Sequence, residues 1–223
     1  MNIDLQPLLL SFALAAITTL ILLIIGIPLA CWIAYTRTRA KPIIEALVSM
    51  PLVLPPSVLG FYLLLAFSPQ RAFGQWVEQW LHLRLVFSFT GLVIGSVIFS
   101  LPFMVQPIQS ALQNLPRSLL EASRTLGKPD HVTLWRVLLP NIKPALLAGI
   151  VLSFAHTIGE FGVVLMIGGN IPGLTKVASI AIYDEVESLN YAAANFYALV
   201  LSVVSFAILL FVYVTNRRWG RAA

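Results

Sequence analysis

Five stretches of this chain are about twenty residues long and nearly free of charge, and they leave few folds open. They run from Ser11 to Tyr35, Ala46 to Phe67, Thr90 to Leu112, Ala145 to Gly168 and Phe196 to Thr215. Roughly twenty apolar residues at 1.5 Å each let an α-helix cross the ~30 Å hydrocarbon core of a bilayer. A helix also satisfies its backbone hydrogen bonds within one segment, as lipid requires. The expectation is an all-α, polytopic helix bundle of about five transmembrane helices, forming one domain over residues 1–223. Composition agrees: 59% of the residues are hydrophobic and 10% charged, against ~45–50% and ~25% in a soluble domain. That leaves too little polar surface to cover a core in water.

The first run is expected to be retained rather than cleaved as a secretory signal. It is longer than the ~7–15 residues of a signal core, and its positive charges follow it instead of preceding it. Prolines interrupt several runs: Pro28 in the first, Pro51, Pro55 and Pro56 in the second, Pro102 and Pro107 in the third. They read either as ordinary kinks or as irregular backbone beside a translocation path. Cys31 is the one cysteine, so neither a disulfide framework nor a cysteine metal site is expected.

The basic residues set an orientation. Arg37, Arg39, Lys41, Arg117, Arg124, Lys128, Arg136, Lys143, Arg217, Arg218 and Arg221 fall in loops on one side of the five runs; Arg71, Arg84 and Lys176 fall on the other. Basic loops mark the cytoplasmic side. The N-terminus is therefore expected outside and the C-terminus inside, in a bacterial plasma (inner) membrane. The net charge of +5 follows from this topology and does not call for nucleic acid. On the outside, residues 68–88 carry Phe73, Trp76 and Trp80, suited to an interfacial helix. Residues 169–195 open on the turn-rich GGNIPG and continue into a short amphipathic helix around Val177, Ile180 and Ala181.

A cytoplasmic island between the third and fourth runs, about residues 116–140, concentrates charge. It reads as two short helices. RSLLEASRTL is stopped by Gly127 in the left-handed region and by Pro129; HVTLWRVLL is capped by Asp130 and stopped at Pro140. A free helix of ten residues is marginal in water, so it either lies on the bilayer or docks in a groove of a soluble partner.

Glu121, Ala122, Ser123, Gly127, Val137, Leu139 and Pro140 resemble the cytoplasmic loop of ABC-importer permeases. That pattern reads EAA, three residues, glycine, nine residues, then isoleucine, any residue, leucine, proline. Ser123 replaces alanine and Val137 isoleucine, both small changes of size. The resemblance implies that this short helix docks into an ATP-hydrolysing subunit. Two such subunits, with ATP and Mg, would drive a pair of permease chains between inward- and outward-facing states. This chain has no GxxxxGK[ST] phosphate loop, so the ATPase is a separate protein and no cofactor belongs to this chain. MPLVLPPSVLGFYLLL and TIGEFGVVLMIGGNIPG resemble molybdate permeases of this type, with tungstate as a related cargo and sulfate permeases as the nearer alternative. The likeness runs from about Leu8 to Arg218 and implies a second copy of the chain and an external substrate-binding protein. The binding protein is expected to contact Ile171, Pro172, Gly173 and Lys176.

A tetrahedral dianion wants hydroxyl and backbone N–H donors. Donor candidates are Ser57 beside the Pro55–Pro56 break, Ser153, Thr157 and the backbone around Gly159 and Gly162; Pro55, Pro56 and Phe161 are gating candidates beside them. Glu160 is the one acidic or basic residue within the five runs, and an intramembrane carboxylate is a functional candidate by default. It is expected to pair with His156, four residues earlier, and to serve packing or gating, since it would repel an anion. An intramembrane zinc hydrolase is the rival enzyme reading, but HxxxE lacks the HExxH pattern and a third ligand. A simple ion channel leaves the docking island unexplained.

Overall fold

The computed structural model describes residues 4–220, the last four by backbone alone. Arg221 and the Arg217 and Arg218 side chains of the expected cytoplasmic cluster therefore lie outside the described residues. Three helices are long and apolar enough to cross a membrane: α1 (Gln6–Tyr35), α5 (Phe89–Asn114) and α12, which spans Tyr191–Gly220 with its apolar part ending at Asn216. Up to five spans result if each bent helix pair counts as one. Among the described residues every regular element is helical.

The second run, where kink and irregular backbone were both open, takes the irregular form. It forms α2 (Lys41–Val53) and α3 (Pro56–Phe67), bent from each other by 112°. The cause is the Pro55–Pro56 pair. Proline disfavours helical backbone in the residue before it, and two in succession remove two N–H donors. Leu54 and Pro55 are extended, at ψ 135° and 134°. Single prolines do not have this effect: Pro28, Pro51, Pro102 and Pro107 all stay inside continuous helices.

The fourth run is also divided. α9 (Lys143–Ile158) ends at Gly159, and α10 (Gly162–Gly168) restarts after a three-residue break. α4 (Ala72–Leu81) bears Phe73, Trp76 and Trp80 on its exposed side while Gly74 and Val77 are buried, as the sequence led us to expect. α11 (Ala178–Glu187) buries Ala178, Ile180 and Ala181.

The core is a three-helix seam of α1, α5 and α9. Leu22, Ala30, Ile33, Met104, Val105 and Ile108 are wholly inaccessible there. Glycine lets the helices approach: a Cβ at Gly26 would meet Met104 Cγ at 2.9 Å, and one at Gly149 would meet the Met104 carbonyl at 3.3 Å. Close approach at small residues is how helices associate where lipid removes the hydrophobic drive. A second cluster of Leu59, Phe67, Leu85, Phe99, Val163 and Ile167 joins α3 and α10 to α5.

The two ends of the bundle are distinct. Gly173 lies against Gln6, the Phe87 N–H donates to Ile167 O (2.9 Å), and Tyr197 Oη donates to Asp4 O (2.6 Å) at one end. Tyr35 Oη donates to Leu112 O (3.3 Å) at the other. α12 is held chiefly at the first end, through Tyr197 against Leu8, Ala178 and Ala181. Leu199, Val203, Phe206 and Phe211 farther along it are exposed.

Candidate functional site

The two broken runs meet at their breaks. A Cβ at Gly162 would stand 2.9 Å from Pro56 Cβ and 3.3 Å from the Ser57 nitrogen. One turn on, Gly60 faces Val163 and Met166, where an added Cβ would come within 2.9 Å of Met166 Cβ. The start of α3 thus rests on the start of α10, bringing together four sequence candidates: Pro55, Pro56, Ser57 and Gly162. Ser57 and Gly159 are exposed, Phe161 is partly buried, and Ser153 and Thr157 face the interior of the bundle.

That interior is a polar seam. Thr157 Oγ1 donates to Ser153 O (2.9 Å) and lies 3.0 Å from Ser100 Oγ, which lies 2.9 Å from His156 Nδ1. Each hydroxyl has one proton. Thr157 spends its own on Ser153 O, so Ser100 donates to Thr157 and His156 Nδ1 donates to Ser100. The imidazole stacks on Phe103 (centroids 4.1 Å apart) and tilts against Phe99. This is a positioning network, and it commits His156 elsewhere than to Glu160.

The expected His156–Glu160 pair is accordingly not made. α9 ends at Ile158, so Glu160 has left the helical register that would stack it on His156. Its side chain is buried beside Ser96, and neither carboxyl oxygen reaches hydrogen-bond geometry with a partner among the described residues. The backbone is better held: Glu160 N–H donates to Thr157 O (3.3 Å), and Ser179 Oγ of α11 donates to Glu160 O (2.6 Å). The break is thereby tied to the end of the molecule that carries the GGNIPG turn.

The charged island folds as α6 (Arg117–Thr125), α7 (Asp130–Thr133), a π-helical turn (Leu134–Leu138) and α8 (Leu139–Asn141). Gly127 has φ 66°; its N–H donates to Arg124 O (2.9 Å) and that of Lys128 to Ser123 O (3.1 Å). This is the two-bond Schellman stop that glycine favours.

Two expectations fail here. Asp130 is not a cap but sits in the first turn, after Pro129. Pro140 does not end the second helix. Its ring would crowd the Arg136 carbonyl in an α-helix, and the chain widens instead, with Leu139 N–H donating to Leu134 O.

A cavity of about 270 Å³ separates α6 from the end of α1, lined by Trp32, Tyr35, Leu120 and Leu134 among others. α6 is therefore held largely by its neighbours in the loop. Ser123, buried, hydrogen-bonds Thr133 (2.7 Å) across the two helices. Glu121 and Ala122 are exposed, Val137 is half-buried, and Leu139 is buried. Ser123→Ala should cost no more than about 1 kcal/mol, because Thr133 keeps Pro129 O as an acceptor (3.3 Å). Thermal unfolding of the detergent-solubilised protein checks this, and a loss well beyond about 4 °C would contradict it.

The GGNIPG turn is built rather than loose. Ile171 N–H donates to Thr175 Oγ1 (3.1 Å), which donates to Gly168 O (2.7 Å), and Ile171 O accepts from the N–H groups of 174, 175 and 176. Asn170 and Lys176 converge on the Asp184 carboxylate at 2.7 and 2.6 Å. Ile171, Pro172 and Gly173 stand exposed on top.

Sequence reasoning missed one set of contacts. Gln106 Nε2 donates to Ser49 Oγ (3.0 Å), and Gln109 Nε2 to Glu45 Oε1 (2.7 Å), tying α2 to α5. The signal was legible as amides three and four residues apart on an otherwise apolar helix.

Comparison with known proteins places this geometry. Residues 23–221 match the family model described as binding-protein-dependent transport system inner membrane component. The chain is 46% identical to the molybdenum transport system permease protein ModB of Azotobacter vinelandii, over 96% of this chain and 95% of that protein. It is 33% identical to a probable sulfate transport system permease protein of Marchantia polymorpha, over 93% of this chain and 74% of that one. Among solved structures, a bacterial alginate ABC transporter in complex with an alginate-bound periplasmic protein superposes with a TM-score of 0.76. The likeness covers 98% of this chain and 80% of that one at 18% identity, and it speaks for the fold.

Proposed function

The chain belongs to the family of binding-protein-dependent transport system inner membrane components, and from that premise we propose that it is the membrane-spanning subunit of a molybdate importer. The observation that carries the substrate is the 46% identity to a molybdenum permease along nearly the whole of both chains. The chain itself does no covalent chemistry in this reading. α6, with Glu121 and Ala122 facing outward and Gly127 fixing its end, docks on a separate ATP-hydrolysing subunit that holds ATP and Mg. Two such subunits and two copies of this chain make the working unit. The binding protein delivers its anion to the end bearing Ile171, Pro172, Gly173 and Lys176, outside the bacterial inner membrane; Tyr35, α6 and α8 lie at the cytoplasmic end.

Joined breaks suit a gate. The Pro55–Ser57 and Gly159–Gly162 segments free backbone groups where two short helices abut, and such backbone is tolerated at membrane depth only beside protein or water. Glu160, buried beside the break and tied by its backbone to α11, links that gate to the outer turn without facing the anion. A sulfate cargo is the second reading, favoured by the sulfate-permease relative.

Labelled molybdate uptake by cells with and without this chain tests the proposal. Uptake should require the chain, be blocked by tungstate at trace level and resist excess sulfate. Equal competition by sulfate would transfer the chain to sulfate import, and uptake independent of the chain would sink both readings.

A further inference from the structure

One face of α5 is out of place in lipid. Gln106, Ser110 and Gln113 recur at helical spacing along its second half, and all three are exposed. α5 has 26 residues, so Gln106 lies about 7 Å from its midpoint, well inside the hydrocarbon thickness. An uncompensated amide there is costly, and polar side chains within spans face the protein interior or a water-filled cavity. α5 itself exposes no large apolar residue; those lie on other helices, as on α12 with Val203 and Phe206 and on α2 with Ile43 and Leu47.

We propose that this face of α5, together with Ser49 of α2, lines the water-filled path on the cytoplasmic side of the gate and hands the oxyanion along by neutral hydrogen-bond donors. The inference rests on the import reading above and adds the residues that would touch the cargo in transit. Three details support it. Ser49 Oγ both donates and accepts, so the Gln106 amide can turn over, keep its bond and offer its NH2 to the path. Glu45, a carboxylate beside the stripe, accepts from Gln109 Nε2 (2.7 Å) and lies 4.0 Å from Lys41 Nζ, which offsets its repulsion of an anion. Neutral donors bind an anion weakly enough to release it, as conduction requires.

The test uses the whole complex in inside-out vesicles, with Cys31→Ser removing the chain's one thiol. Single cysteines then replace Gln106, Ser110 and, as a lipid-facing reference, Phe206. A charged, membrane-impermeant methanethiosulfonate should modify positions 106 and 110 at least about tenfold faster than 206, because only a hydrated thiol ionises readily. Millimolar molybdate or sulfate should slow position 106 selectively. In uptake, Gln106→Leu should lower the rate about tenfold while Gln106→Asn restores most of it.

Reactivity at 106 no greater than at 206 would overturn the proposal, as would oxidative cross-linking of Gln106→Cys to a second copy without reagent access. Rapid labelling untouched by any oxyanion would overturn the ligand. If instead labelling and its protection by sulfate hold while wild-type vesicles carry no molybdate, the path stands and the molybdate reading falls.

Discussion

Gly162→Ala is expected to lower molybdate uptake by about tenfold or more, because overpacking a rigid contact displaces whatever rests on it. The added Cβ would lie 2.9 Å from Pro56 Cβ and 3.3 Å from Pro56 C and Ser57 N. None of these is the tip of a flexible side chain. Relief requires α3 to lift from α10, parting the two breaks, at a cost of about 1–3 kcal/mol. Gly159→Ala, three positions earlier, has no such neighbour: the nearest atoms are carbonyls of its own turn at 3.8 Å. Its effect should be several times smaller. The comparison, made as uptake alongside thermal stability in detergent, separates the Pro56 contact from a general demand for glycine. Equal loss in the two variants would remove that contact from the gate.

Gly127→Val is expected to abolish co-purification of the ATPase and, with it, uptake, while membrane insertion survives. Space does not oppose the substitution, since nothing lies within 4 Å of the added Cβ. The opposition is conformational: at φ 66° an L-residue pays about 1–2 kcal/mol, and a β-branched one more. The bonds from Gly127 N–H to Arg124 O and Lys128 N–H to Ser123 O then weaken, and α6 loses its defined end. Packing cannot compensate, given the cavity between α6 and α1. Gly127→Asn, which tolerates the left-handed region, should keep most activity. Retained co-purification in Gly127→Val would show that α6 does not need this stop to dock.

The apolar runs and the punctuation of the island were readable because each is a local property. Twenty apolar residues must cross or be buried, and glycine before lysine-proline must stop a helix. α4 and α11 were readable from one-sided aromatic and aliphatic spacing. What escaped is set by partners far along the chain. Pro51 and Pro55 look alike in sequence, yet only the doubled Pro55–Pro56 opens the helix, and Gly162 fits the space beside it. The three-residue break after Ile158 carries no proline, so hydropathy reads through it. The His156–Glu160 pair assumed an unbroken helix. Ser100, on another helix, claims the imidazole instead. The π turn answers Pro140 by widening the helix where a stop had been expected.

In the proposed importer, the elbow at Ile142 would make these parts a bell crank. The loop helices over Asp130–Asn141 meet α9 at 85°, with arms of about 18 and 24 Å at helical rise. A sideways stroke on the first arm would then emerge along the second at right angles to it, amplified about 1.3-fold by the ratio of the arms. The second arm terminates at Gly159, just before the Glu160 carbonyl that Ser179 of α11 holds. Stiffness of the elbow then sets how much of each stroke is delivered and how much is lost as backlash. Ile142, buried at 3% exposure, is the pivot pin.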